Sequence, residues 1–253
     1  MFRKIVPAAV VTLFAVPAIA DTRLQYVDDQ SGAQQTAIII KDGKVRMDNA
    51  DSDGWTLFDR DTGILTTIDP GAQTYTVLDE ATMKQLSGRV SAAMVEMKQQ
   101  MEQMPPEQRA MMEKMMGGAT GAGQKMLETK VERTGNMLKK AGYDCEQVFY
   151  SVGNLSRSEM CVVDVERIKM PADDRKSLDA MQERMRAFAE SMSESLGADF
   201  AFDFDSMGGM PVYMKHGGEG PAEILKDVDH GGIDASLLRI PESYREEKLQ
   251  AGE

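Results

Sequence analysis

Apolar residues alternate with polar ones along the first third of the chain and then switch to a three-four spacing. Short alternating runs at Leu24-Gln25-Tyr26-Val27, Thr36 to Lys41, Lys44 to Asp48, Trp55 to Phe58, Ile64 to Ile68 and Thr74 to Leu78 predict strands. Asp42-Gly43, Asp61-Thr62-Gly63 and Asp69-Pro70-Gly71 punctuate them as turns, and Asp42-Gly43 is a strong two-residue hairpin signal. The reading is an antiparallel meander rich in threonine, valine and isoleucine.

The period changes after Leu78. Asp79 is placed to cap a helix that carries Met83, Leu86, Val90, Met94, Met97, Met101 and Met104 on one side and Lys84, Gln85, Lys98, Gln99, Gln100 and Gln103 on the other. Pro105-Pro106 ends it, and Pro106 suits the first turn of a second helix that runs to Gly117-Gly118. Strands are expected again over 126–134 and through a hairpin around Val152-Gly153-Asn154. A further helix starts at Pro171-Ala172-Asp173-Asp174 with Leu178, Met181, Met185, Phe188 and Met192 on its apolar face. Later strands are placed at Phe200 to Phe204, Pro211 to Lys215 and Glu223 to Val228, with a closing segment at Leu237 to Ile240. The expected fold is α+β: a curved antiparallel half-barrel covered by Met-rich amphipathic helices. Residues 21–253 form one domain with a helical insertion at about 79–117.

The first twenty residues read differently. Arg3 and Lys4 precede an apolar run from Ile5 to Ile19, and Ala18-Ile19-Ala20 offers small residues before a cut, so residues 1–20 are expected to be a signal peptide cleaved after Ala20. The run is too short for a membrane span, and no later segment offers one. The expected location is a bacterial periplasm. This segment holds two basic and no acidic residues, so its loss takes the net charge from −12 to −14. Such acidity disfavours nucleic-acid binding and electrostatic docking on anionic membranes. The two cysteines, Cys145 and Cys161, flank the Val152-Gly153-Asn154 turn, which brings them together as cross-strand neighbours and predicts a disulfide.

The catalytic patterns are missing. His216 and His230 both sit beside glycines in polar stretches, and no nucleophile elbow, Walker or dinucleotide pattern occurs. Asp173-Asp174 reads as helix capping, and Asp203-x-Asp205 lacks the rest of a calcium loop. The expectation is a non-enzymatic protein without a cofactor.

Composition then sharpens one question. Nine of the 21 methionines fall between Met83 and Met116. Methionine is unbranched and polarizable, so it suits packing against irregular or changing surfaces, and its thioether is a soft ligand for reduced copper. Three readings stay open. The methionines pack a core; or Met94, Met97, Met101, Met104, Met181, Met185 and Phe188 line a groove for a lipid or an apolar segment of an envelope protein; or Met111, Met112, Met115 and Met116 bind reduced copper. A structural role in an envelope assembly is a further alternative.

Lys41 to Asp48, Ile68 to Tyr75, Met104-Pro105-Pro106-Glu107-Gln108-Arg109 through Met116, and Ala141-Gly142-Tyr143-Asp144-Cys145 together resemble an uncharacterised family of exported bacterial proteins. The order of strands and helices is also similar to the periplasmic lipoprotein-carrier and receptor (Lol) fold, and Leu237 to Tyr244 is similar to the closing "apolar, Pro, x, x, Tyr" segment of such proteins. This resemblance implies a half-barrel with a helical lid and supplies no site residue position by position.

Overall fold

The computed structural model describes residues 21–48, 53–105, 108, 129–152, 156–196, 207–217 and 221–248. The meander forms as the pattern predicts. It comprises β1 (Thr22–Asp28), β2 (Gln34–Lys41), β3 (Lys44–Asp48), β4 (Trp55–Asp59), β5 (Ile64–Asp69) and β6 (Thr74–Leu78). Asp42 and Gly43 both take positive φ, at 50° and 78°, which closes the β2–β3 turn in the sense that matches strand twist. Helix α1 (Glu80–Glu102) follows, and its cap is the expected one: Asp79 Oδ1 accepts from the Thr82 amide at 2.7 Å.

The second half adds β7 (Thr129–Lys140), β8 (Tyr143–Val152) and β9 (Ser156–Val163), a 3-10 turn at Val165–Ile168, and helix α2 (Ala172–Leu196). Strands β10 (Met210–Lys215) and β11 (Ala222–Asp229), a 3-10 turn at Ala235–Leu238, and β12 (Arg245–Glu246) complete the described chain. The Cys145–Cys161 disulfide is formed, with Cα atoms 5.3 Å apart. The two cysteines are not directly opposite: Cys161 pairs with Gln147, so the bridge runs diagonally between β8 and β9.

The expected architecture is corrected here. The described strands make one twelve-stranded sheet in the order β12-β6-β5-β4-β3-β2-β1-β11-β10-β9-β8-β7. It is mixed rather than antiparallel, because β12 joins β6 in parallel. Strand residues well outnumber helical ones, and the sheet is not covered by Met-rich helices. The reason is packing: α1 leaves the sheet at the end of β6 and packs on α2, whereas α2 crosses β2, β3 and β4. Helix α1 therefore lies against another helix, with Met83 and Met101 buried. The segment Leu237 to Ile240, read as closing, begins in a 3-10 turn; the last strand lies beyond it at Arg245–Glu246. The strand placed at Phe200 to Phe204 lies outside the described residues, as does nearly all of the second helix after Pro106.

Alternation splits the core between the two sheet faces. Ile40, Val45, Phe58 and Leu65 sit in register and join Leu24, Tyr26, Leu178 and Met181 in the main core. Their neighbours Ile39, Trp55, Leu57 and Ile68 join Leu238 in a second core, against which Ile233, Leu237, Ile240 and Tyr244 pack. Arg46 fixes this C-terminal cover. Its guanidinium lies 4.2 Å from the Trp55 ring centre, and Nη1 donates to the Leu237 carbonyl at 2.8 Å. On the other face Arg60 anchors α2: Nη1 donates at 3.1 Å to the Asp173 carbonyl, the Asp173 carboxylate and the Ser177 hydroxyl.

Candidate functional site

A cavity of about 440 Å³ lies between α2 and the sheet. Its sheet wall is built by alternation. Tyr26 comes from β1, Thr36 and Ile38 from β2, and Met47 from β3, with Met47 in register with Ile38. Its helical wall is the α2 face bearing Arg175, Leu178, Asp179, Met181, Gln182 and Met185, spaced as one side of a helix. Gly208 to Pro211 and Met214 close a third side.

Five methionines therefore face the space: Met47, Met181, Met185, Met210 and Met214. Met181 and Met210 are buried, while Met185 is 37% exposed and marks the open side. The rim is polar. Arg175 pairs with Glu166 through Nη1 and lies 3.9 Å from Asp179 through Nε. Glu166 is held below its ordinary pKa, first by the Arg175 hydrogen bond. At the base, the buried Tyr26 hydroxyl donates to the Pro211 carbonyl at 2.9 Å. Desolvation, with Glu223 and Tyr143 nearby, pushes that phenol well above its ordinary pKa, so it remains a neutral donor.

The local backbone at Gly209 makes this wall possible. Its φ is +155°, and a Cβ there would stand 2.2 Å from the Val163 carbonyl oxygen. Only glycine lets this segment pass so close to β9. Strand β10 tolerates Pro211 because its register with β9 shifts between Pro211 and Tyr213.

The structure brings together two of the seven residues expected to line a groove. Met181 and Met185 line the cavity. Phe188 is half-buried one turn further along α2 and does not line it. Met97 and Met101 lie on α1, half-buried and buried respectively, Met104 lies half-buried just past its end, and no described α1 side chain reaches the cavity. Met94 lies on α1 as well, and its side chain is outside what is described. Met111, Met112, Met115 and Met116 are outside the described residues. Met47, Met210 and Met214 were missed. Their signal was the two-residue period: Met47 follows Val45 on the inward face of β3, and Met210 and Met214 sit at the two ends of a strand that spans 210–215.

Among the described residues, no group of three histidine, cysteine, aspartate or glutamate side chains is placed to hold a metal ion. No described helix is long and apolar enough to cross a membrane. His216 is exposed, and His230 lies near the start of β1 with Nδ1 3.5 Å from the Thr22 hydroxyl.

No family model matches the chain, and no curated protein matches it. A solved structure described as PNGF-II in the C2 space group aligns over 91% of this chain with a TM-score of 0.41 and 10% identity. The chain spans 31% of that protein's length. A likeness at this level carries no argument about fold or function.

Proposed function

We propose that this is a non-enzymatic binding protein of the bacterial periplasm that takes the apolar tail of a lipid into the cavity between α2 and the sheet. The observation that carries this reading is the meeting of five methionines from β3, α2 and β10 around one space with a charged rim. Its volume of about 440 Å³ falls in the usual range of small-molecule sites. Flexible thioethers accept tails of differing shape at little cost in strain. Each methylene of a bound tail contributes about 0.8 kcal/mol on leaving water. A head group would stay at the rim with Arg175, Asp179 and Gln182. The Cys145–Cys161 disulfide agrees with an oxidising compartment. The leader-like start of the chain points the same way.

Native mass spectrometry of protein purified from a periplasm tests the proposal, together with titration by a fluorescent fatty acid. A co-purifying lipid that Met181→Trp displaces supports it. No lipid and no uptake would overturn it, and co-purification of a peptide would replace the lipid with an apolar protein segment. The same five thioethers favour a second reading, reduced copper. Copper binding under reducing conditions that is lost when Met47, Met210 and Met214 become leucine would establish that reading, because leucine keeps the apolar wall and removes the sulfur.

A further inference from the structure

A second cluster lies where β1 begins. Asp21 and Thr22 are buried, at 3% and 0% exposure, and Asp174 in the first turn of α2 is buried at 3%. Asp21 is well served: its Oδ2 lies 2.7 Å from Lys41 Nζ and accepts from the Ile233 amide at 2.8 Å. Arg60 is engaged by the neighbouring Asp173. Asp174 is not served equally. Its Oδ2 is buried without a hydrogen-bond partner. The close ammonium of Lys41 thus serves Asp21, while Asp174 is a second buried carboxylate within electrostatic reach of it, which is an unfavourable arrangement in a place shielded from water. Desolvation raises the pKa of Asp174, Asp21 and Asp173 raise it further, and the Thr22 hydroxyl and His230 oppose them. Lys41 and Arg60 also feel its charge.

A cation beside Asp21 would give Asp174 the partner it lacks. We infer that Asp174 is the seat of the α-ammonium of a chain that begins at Asp21, so that removal of the leader after Ala20 completes this corner of the fold. The inference rests on the export reading. Water adds across the Ala20–Asp21 amide under a leader peptidase; the Ala20 carboxylate departs with the leader, and the protonated amine stays on Asp21. Before cleavage that nitrogen is a neutral amide with one N–H. Afterwards it carries a positive charge and three donors, so two carboxylates face two ammonium groups. The cleavage then strengthens the join between β1 and α2, the helix that walls the cavity.

The test has two parts. Intact mass of the exported protein is expected to show a chain starting at Asp21; another start overturns the export reading on its own. Thermal melts then compare Asp174→Asn in a chain starting at Asp21, released by a site-specific protease, with the same substitution in a chain extended at its N-terminus. The substitution is expected to lower Tm in the first and to raise it or leave it unchanged in the second. Shifts of the same sign in both would overturn the seat, whatever the exported mass shows. If Asp174→Asn prevents folding, labelling of the terminal amine in the unsubstituted chain decides. Paired with Asp174, it should react at least about tenfold more slowly than a free terminal amine, which corresponds to a shift of one pKa unit. An ordinary rate would overturn the inference.

Discussion

The two faces of the sheet are built from alternate residues of the same strands, yet they end differently. One face is sealed. Ile39, Trp55, Leu57 and Ile68 meet Leu238 and the rest of the C-terminal cover, and Arg46 ties Trp55 to the Leu237 carbonyl. Its side chains are branched or aromatic, with few rotamers. The other face holds a void where Met47, Met181, Met185, Met210 and Met214 meet. The contrast teaches that one strand can present a stiff surface on one side and an adaptable one on the other, because the two-residue period separates the demands. Stability should therefore reside mainly in the sealed face, and binding in the open one.

The largest effect is expected from Trp55→Ala. It removes the centre of the sealed face and the platform under Arg46, and should cost about 3–5 kcal/mol in a denaturant melt while leaving the affinity of the folded protein for a fatty-acid probe nearly unchanged. A large loss of affinity would erase the division between the faces. Replacing both Cys145 and Cys161 by serine should cost about 2–4 kcal/mol, because the bridge closes a short loop in the unfolded chain. The same loss should follow reduction of the unaltered protein with dithiothreitol. Gly209→Ala should cost about 1–3 kcal/mol through backbone strain and its clash with the Val163 carbonyl. Unlike Trp55→Ala, it should also weaken probe binding, because residue 209 lines the cavity. Met181→Leu nearly conserves volume and should cost less than about 1.5 kcal/mol. It should narrow the range of acyl chains accepted, as read from a probe series of differing length.

The smallest effect is a pH dependence that separates the faces by sign. The Ser236 amide holds the Asp234 carboxyl, on the C-terminal cover, below its ordinary pKa. Its contribution is present above the ordinary carboxylate range and fades as pH falls through the lowered value. Protection factors over 233–244, corrected for the intrinsic exchange rate at each pH, should therefore fall on acidification. Asp174 is shifted upward while the nitrogen of Asp21 remains an amide. In an N-terminally extended chain the folded state then holds its proton longer than the unfolded state does. Stability at that corner should fall as pH rises from the ordinary carboxylate value through the raised one, the opposite trend.

Much of the meander was legible because alternation, β-branched residues and the Asp42-Gly43 turn all pointed the same way. The cap at Asp79 and the bridge between Cys145 and Cys161 were legible for equally local reasons. The candidate site was only partly so. Met181 and Met185 were visible on a strong helical period, whereas Met47, Met210 and Met214 were hidden by the density of methionine in 83–116. That density points to α1, none of whose described side chains reaches the cavity. A helical apolar face states that it will be buried and says nothing about its partner.

By itself, the sequence determined the local elements of the meander, the two long helices and the disulfide. These follow from short-range backbone preference and periodicity. Tertiary structure decided that the two halves pair into one mixed sheet, that β12 returns in parallel beside β6, that α1 packs on α2, and that α2 stands far enough from β1, β2 and β3 to leave a methionine-walled space. It also set Asp174 beside Asp21, residues more than 150 positions apart. Such outcomes depend on the fit of distant side chains, a property of the assembled core that no local pattern encodes.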